Sequence, residues 1–516
     1  MSATLESLDH AVPEQGRKAR NRADNAYPDS DPNAGNKRRW WALAVIAIAQ
    51  LMVVLDASIV TIALPHAATS LHISDANRQW VQTAYTLAFG GLLLLGGRIA
   101  DFVGRKRVFL IGLIGFAGAS ALGGAAQTAG ELFGSRALQG AFAALLAPSV
   151  LSLITTTFTE PTERAKAFGV YSAISGTGAA IGLMAGGILT DLVSWRWTLF
   201  VNTPIAIAVA LASLPLLKES RAEGDRRYDV PGAIMATAGL VSLVYGFTEA
   251  SIHSWTAPLT LTLIGAAVVL LVSFVAWESR TSHPLLPLRI VVDRNRGGAF
   301  FAFLLATLGM FAMFLFMTFY MQNVLGWSPL KSGFAFLPFP FGVITSATIA
   351  SRTLPRFGPR PLATAGFALA TVGLVGLTQL QADSSYLTHM VPFMLLISLG
   401  MGHVFVPLSS TALLGVPQHD AGVASALVNT MQQVGGSLGV AFLNTIATTA
   451  TVHYATAHDG MSPAAMTHGF TTAFTWSAGV FALATVVVAL VVRANKSDLT
   501  PPTALSHEPQ LELAVA

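Results

Sequence analysis

WALAVIAIAQLMVVLDASIVTIALP, residues 41–65, is an uncharged run except for one carboxylate, Asp56. As a helix its 25 residues would span roughly 37 Å, enough to cross a hydrocarbon core of about 30 Å. An acid at the centre of a membrane helix costs about 2.5–3.5 kcal/mol on insertion scales, so it is retained for function and needs a partner. Burial favours the neutral form of a carboxyl group, whereas a neighbouring guanidinium favours the anion. A carboxyl group held between those influences is suited to carrying a proton.

The rest of the chain agrees with a membrane setting. Of its 516 residues 53% are hydrophobic and only 11% are charged, against about a quarter charged in soluble domains. Further apolar runs fall at 80–97, 108–127, 132–156, 167–189, 198–217, 231–249, 257–277, 298–322, 332–351, 361–380, 389–413, 422–447 and 470–492. With the first run, the sequence predicts fourteen transmembrane helices. Threaded from a cytoplasmic N-terminus, 26 of the 30 Lys and Arg fall on the cytoplasmic side, as the positive-inside rule requires. An odd helix count would put Arg493 and Lys496 on the wrong side, so both termini are expected in the cytoplasm. The net charge of +4 is thereby a topology signal, and nucleic acid is not an expected partner.

A repeat sharpens the domain plan. GRIADFVGRKR at 97–107 and SRTLPRFGPRP at 351–361 align Arg98 with Arg352 and Gly104 with Gly358. Two six-helix bundles, 40–217 and 297–492, would flank two additional central helices with linkers at 218–296. Polar tails at 1–39 and 493–516 are expected to be cytoplasmic, the first of them disordered.

Five stretches carry a family resemblance. GGRIADFVGRKRV, 96–108, resembles the signature loop between helices two and three of the major facilitator superfamily. LDASIVTIALP, 55–65, resembles the first-helix pattern of its fourteen-helix drug:proton antiporter family. ELFGSRALQGAFAALLAPS, 131–149, is similar to the helix-four motif, with Arg136, Gln139 and Gly140. GTGAAIGLMAGGIL, 176–189, is similar to the helix-five antiporter motif, and SWRWTLFVNTP, 194–204, to the turn into helix six. Two positions depart from the pattern: Thr61 replaces an Asn, and Leu183 replaces the helix-five Pro.

The resemblance implies an all-α polytopic membrane protein of the major facilitator fold, with helices arranged 6 + 2 + 6. It implies proton-driven export of amphipathic small molecules such as drugs, antibiotics or biocides, from a bacterial cytoplasmic (inner) membrane, by a monomer. The alternative within the same fold is an exporter or symporter of a polar metabolite, such as an amino acid or siderophore. Asp56 and Arg136 are expected to form the proton-coupling site. Gly97, Asp101, Gly104, Arg105 and Lys106 are expected to form a conformational latch, with Asp101 docking near the start of the helix at 422. Gly178, Gly182, Gly186 and Gly187 keep one face of helix five small for close packing.

Away from loops and helix ends, the ionisable groups are Asp56, Arg136 and His403. Gln50, Gln139, His403, Asn429 and Gln432 are candidate substrate-cavity residues. With no cysteine, no HExxH and no GxxxxGK followed by Ser or Thr, the chain is not expected to be an enzyme or an ATP-driven pump. No cofactor or metal is expected; its expected partners are the small-molecule substrate, protons and the lipid bilayer.

Overall fold

The computed structural model describes residues 32–74, 77–158, 160–221, 229–282, 284–416, 421–458 and 460–499. Of the expected tails 1–39 and 493–516, residues 1–31 and 500–516 lie outside the described residues. Among the described residues the fold is all-helical. Eleven of its helices are long and apolar enough to cross a membrane.

The first bundle comprises α1 (Pro32–Ser70), α2 (Trp80–Val103), α3 (Arg105–Ala125), α4 (Ala129–Thr157), α5 (Pro161–Leu192) and α6 (Asn202–Leu216). A central pair follows, α7 (Val230–Ile252) and α8 (Pro258–Glu278). The second bundle comprises α9 (Arg294–Phe319), α10 (Pro338–Phe357), α11 (Pro359–Leu377), α12 (Val391–Ala412), α13 (Ala421–Ala457) and α14 (Pro463–Val491). α1 begins several residues before the apolar run, so residues 32–39, expected in the disordered tail, are helical.

The repeated loops have the same physical cause. Gly104 at φ 119° separates α2 from α3, and Gly358 at φ 80° separates α10 from α11. Both conformations are open to glycine and strained for residues with a Cβ. Each turn reverses the chain within a single residue between two long helices.

Helix packing is set by small residues. Gly182 and Gly186 bring α5 against α1, where an added Cβ would lie 2.8 Å from Leu55 O or 2.6 Å from Ile59 O. Gly178 faces Val54 and Leu51 on the same helix. Without a hydrophobic drive between helices in lipid, such close backbone contact supplies dispersion and excludes alternatives. Gly187 faces the other way. It meets the backbone of Pro329, in the short helix Pro329–Ala335 that leads into α10, and Gly333 there approaches Leu183 O. Leu183 thus sits where helix five touches the second bundle, in a helix that runs unbroken from Pro161 to Leu192.

The central pair lies on the seam between bundles. Thr237 Oγ1 of α7 donates to Gly91 O of α2 at 2.7 Å, and α7 also packs on α13. Gly239 and Gly246 of α7 receive Leu271 and Ile264 of α8. We expect Gly186→Ala to lower the unfolding temperature in detergent, by about 1–3 kcal/mol of overpacking. Gly265→Ala, whose added Cβ would meet nothing within 4 Å, should leave it unchanged; a fluorescence thermal-shift assay distinguishes them.

Candidate functional site

Asp56 lies at the centre of the first bundle with no exposed surface. Its Oδ2 accepts from Arg136 Nη1 at 2.6 Å. Its Oδ1 accepts from Gln139 Nε2 at 2.7 Å and from Asn202 Nδ2 at 2.8 Å. Ser120 Oγ also accepts from both amides, at 3.1 and 3.0 Å, and donates to Leu199 O at 2.8 Å. Arg136 is only 1% exposed. Its Nη1 also donates to Gln139 Oε1 at 2.6 Å, its Nε donates to Val81 O at 3.0 Å, and its guanidinium lies 4.4 Å over the Tyr85 ring. One carboxyl group thereby draws together α1, α3, α4 and α6 and, through Arg136, the backbone of α2.

Local sequence explains how each group reaches the centre. Thr128 accepts from Glu131 N at 3.2 Å, and Glu131 Oε2 accepts from Gln127 N at 2.7 Å, so α4 starts on a side-chain cap. Arg136 and Gln139 follow three residues apart and share one helix face. Asn202 is placed differently. Arg196 donates to Gly124 O at 3.0 Å and to Ala126 O, satisfying carbonyls at the C-terminal end of α3 where a cation is favoured. That clamp fixes the turn Trp197–Phe200, and the following helix opens with Asn202 directed at Asp56.

Sequence reasoning read SWRWTLFVNTP as a structural turn and so missed Asn202 and Ser120. The available signal was an amide at the start of an apolar helix with no turn of its own to cap. Gln139, expected in the substrate cavity, is hydrogen-bonded to Asp56 and Arg136. The buried-charge inventory also passed over Glu249 and Glu278 at helix ends, both of which are buried.

The other expected residues are dispersed. His403 Nδ1 pairs with Ser346 Oγ of α10 at 2.5 Å and lies 3.1 Å from Leu399 O. Asn429 Nδ2 donates to Ser425 O within its own helix at 3.2 Å. Gln432 is half-buried, and Gln50 is buried with Oε1 lacking a protein partner.

Around the Gly104 loop the described contacts run to α4, α6 and the linker that follows α6. Arg105 N donates to Ser220 O at 3.0 Å, and Lys106 N and Arg107 N donate to the Glu219 carboxylate at 3.1 and 3.2 Å. Lys106 Nζ donates to Leu214 O at 2.7 Å, and an added Cβ on Gly97 would lie 3.5 Å from Pro148 Cβ. The Asp101 side chain lies outside the described part of the structure, as do residues 417–420 before its expected dock.

At the opposite end the bundles meet. Gln322 Nε2 donates to Ile62 O at 3.0 Å, the hydroxyls of Thr86 and Ser437 pair, and the Arg78 guanidinium lies 3.9 Å over the Phe319 ring. Ser437 lies in a Gly-x-Ser-x-Gly run, 435–439. That run is the middle of a continuous helix rather than a strand-to-helix turn, so it does not form a hydrolase nucleophile elbow.

The family model of the Major Facilitator Superfamily matches residues 46–440. The chain belongs to the Major Facilitator Superfamily. Members of this superfamily are transporters rather than enzymes, so this chain is a multi-pass membrane transporter. It is 49% identical to a puromycin resistance protein of Streptomyces alboniger, over 90% of this chain and 93% of that protein. Identity is 37% with a cephamycin export protein of Amycolatopsis lactamdurans, over 91% and 95% of the two chains. It is 35% with a tetracenomycin C resistance and export protein of Streptomyces glaucescens, over 79% and 76%. Among solved structures, a bacterial homologue of the lysosomal transporter Spinster, in an inward-facing unoccupied conformation, superposes with a TM-score of 0.61 at 16% identity. That match covers 92% of this chain and all of that one, and bears on fold alone.

Removing one partner from a buried ion pair costs about 3–5 kcal/mol, because the survivor stays buried and uncompensated. Arg136→Met should therefore strongly lower thermal stability. Asp56→Asn combined with Arg136→Met should restore most of the loss, an interaction that a double-mutant cycle measures.

Proposed function

We propose that this transporter exports an amphipathic, antibiotic-like small molecule in exchange for protons, with Asp56 as the proton carrier. The observation that carries the reading is Asp56 itself: a fully buried carboxyl group joined to Arg136, Gln139 and Asn202. The chain's similarity to puromycin resistance, cephamycin export and tetracenomycin C resistance and export proteins supports the substrate class.

In the mechanism, Asp56 takes a proton from the outside in the outward-facing state. Protonation removes the charge that holds Arg136, freeing the guanidinium to settle on Gln139, Val81 O and the Tyr85 ring. In the inward-facing state substrate binding favours release of the proton to the cytoplasm, and the ion pair re-forms. The bundle contacts through Gln322, Thr86 and Arg78 then form the extracellular closure. The Gly104 loop carries the basic cluster Arg105, Lys106 and Arg107 on the cytoplasmic face, as anionic inner-leaflet lipid favours.

The fuller assignment has fourteen membrane spans. Trp80–Val103, Pro161–Leu192 and Ala421–Ala457 would join the eleven apolar ones. It places both termini in the cytoplasm of a bacterial inner membrane and takes the monomer as the working unit. Asp101 and its loop act as the latch of the outward-facing state, and Gly178, Gly182, Gly186 and Gly187 as the sliding face of helix five.

The test is efflux from liposomes under an imposed pH gradient, with puromycin as the first probe. Asp56→Asn should fold but lose gradient-driven transport, and a proton uncoupler should abolish transport by the unaltered chain. Unimpaired coupling in Asp56→Asn would sink the carrier assignment.

A further inference from the structure

The inner ends of the central pair hold two carboxyl groups that the transport reading does not use. Asp229 precedes α7, and Glu278 is the last residue of α8. Asp229 Oδ1 accepts from Gly232 N at 2.9 Å and from Trp277 Nε1 at 2.6 Å. Glu278 is 4% exposed, and its Oε2 accepts from Leu286 N at 3.1 Å, in the linker toward the second bundle. The remaining two oxygens, Asp229 Oδ2 and Glu278 Oε1, are buried, and among the described residues neither has a hydrogen-bond partner. They face one another. A Cβ built on Gly232 would lie 2.2 Å from the first and 2.8 Å from the second, and the two carboxyl groups are within hydrogen-bonding reach.

Two facing acceptors with no donor between them are satisfied by one proton. We infer that Asp229 and Glu278 form a second protonation site, a carboxylic acid donating to a carboxylate, which fastens α7, α8 and the linker to the second bundle. The position of each group assigns the proton. Asp229 sits at a helix N-terminus with two N–H donors on its other oxygen, a setting that favours the anion. Glu278 sits at a helix C-terminus, where an anion is disfavoured, and it is almost wholly buried. Glu278 Oε1–H therefore donates to Asp229 Oδ2. Among the described residues, the groups that bear electrostatically on Glu278 are Asp229 and the backbone amides of Leu285 and Leu286. Arg280, two residues along, is exposed. The site shares its end of the molecule with the Gly104 loop, so it reads the pH of that side, and it stands independently of Asp56.

The sign of the effect follows by linkage. In the unfolded chain both groups are ionised above about pH 4.3, whereas the folded chain retains one proton. Stability is therefore highest at low pH and declines as the shared proton is lost.

Purified full-length protein should show an unfolding temperature that falls from about pH 4.5 to about pH 7 and levels off above that. Glu278→Gln, whose amide donates without titrating, should lose at least half of that dependence. In Asp56→Asn, which removes the fully buried Asp56 carboxyl group, the infrared C=O stretch of a buried carboxylic acid should fade as pH rises through about 7, and it should be missing when Glu278→Gln is added. Asp229→Asn serves if Glu278→Gln does not fold. It removes the neighbouring anion and should move the fading of the band to lower pH. An unchanged stability slope in Glu278→Gln, a band that survives Glu278→Gln in the Asp56→Asn background, or a band unmoved by Asp229→Asn in that background would overturn the assignment. Strong stabilisation by millimolar Ca²⁺ or Mg²⁺ at pH 6, lost in Glu278→Gln, would also overturn it, by placing a metal ion where the proton is assigned.

Discussion

The first bundle is built around the need to satisfy one anion in a place without water. Two carboxylate oxygens receive three donors from Arg136, Gln139 and Asn202, and the donors also reach Ser120, Val81 O and the Tyr85 ring, while Asn202 Oδ1 stays buried without a protein partner. In hydrocarbon each missing partner would leave a buried polar group at a cost of several kcal/mol. The helices are therefore held in register by polar geometry, while glycine contacts such as those of Gly182 and Gly186 set their spacing.

The second bundle solves the same packing problem without a charge. Its repeated loop keeps the glycine of Gly104 at Gly358, but places Pro355 where the first loop has Asp101. Its interior is aromatic, with Phe303, Phe316, Phe367 and Phe474 buried, and its interior histidine is tied to a serine. The two bundles share a backbone plan and differ in electrostatics.

Much of the architecture was legible because long apolar runs with charged ends permit few alternatives. The pairing of Asp56 with Arg136 was legible for a related reason: two opposite charges at comparable depth have nowhere else to go. What escaped was the role of small neutral groups. Asn202 and Ser120 resemble ordinary turn and packing residues until the Arg196 clamp and the helix crossing bring them to Asp56. Gln139 was noticed but its bonds to Asp56 and Arg136 were not, because a sequence gives a residue's depth along a helix more readily than the direction of its face. Glu278 was passed over as an interfacial charge at a helix end, and only the packing of α8 on α7 shows it to be buried.

The Asp56 network also imposes a schedule on biosynthesis. Arg136 is 80 residues downstream of Asp56, and Asn202 is 146 residues downstream. At about 5–20 residues per second, the ribosome needs roughly 10–30 s to reach Asn202 after making Asp56. During that interval the first helix carries an acid whose final partners do not yet exist. The nascent segment must wait at the insertion machinery, near lipid headgroups, or as a neutral acid. The residue that organises the finished bundle is thus the one whose accommodation in the membrane is completed late.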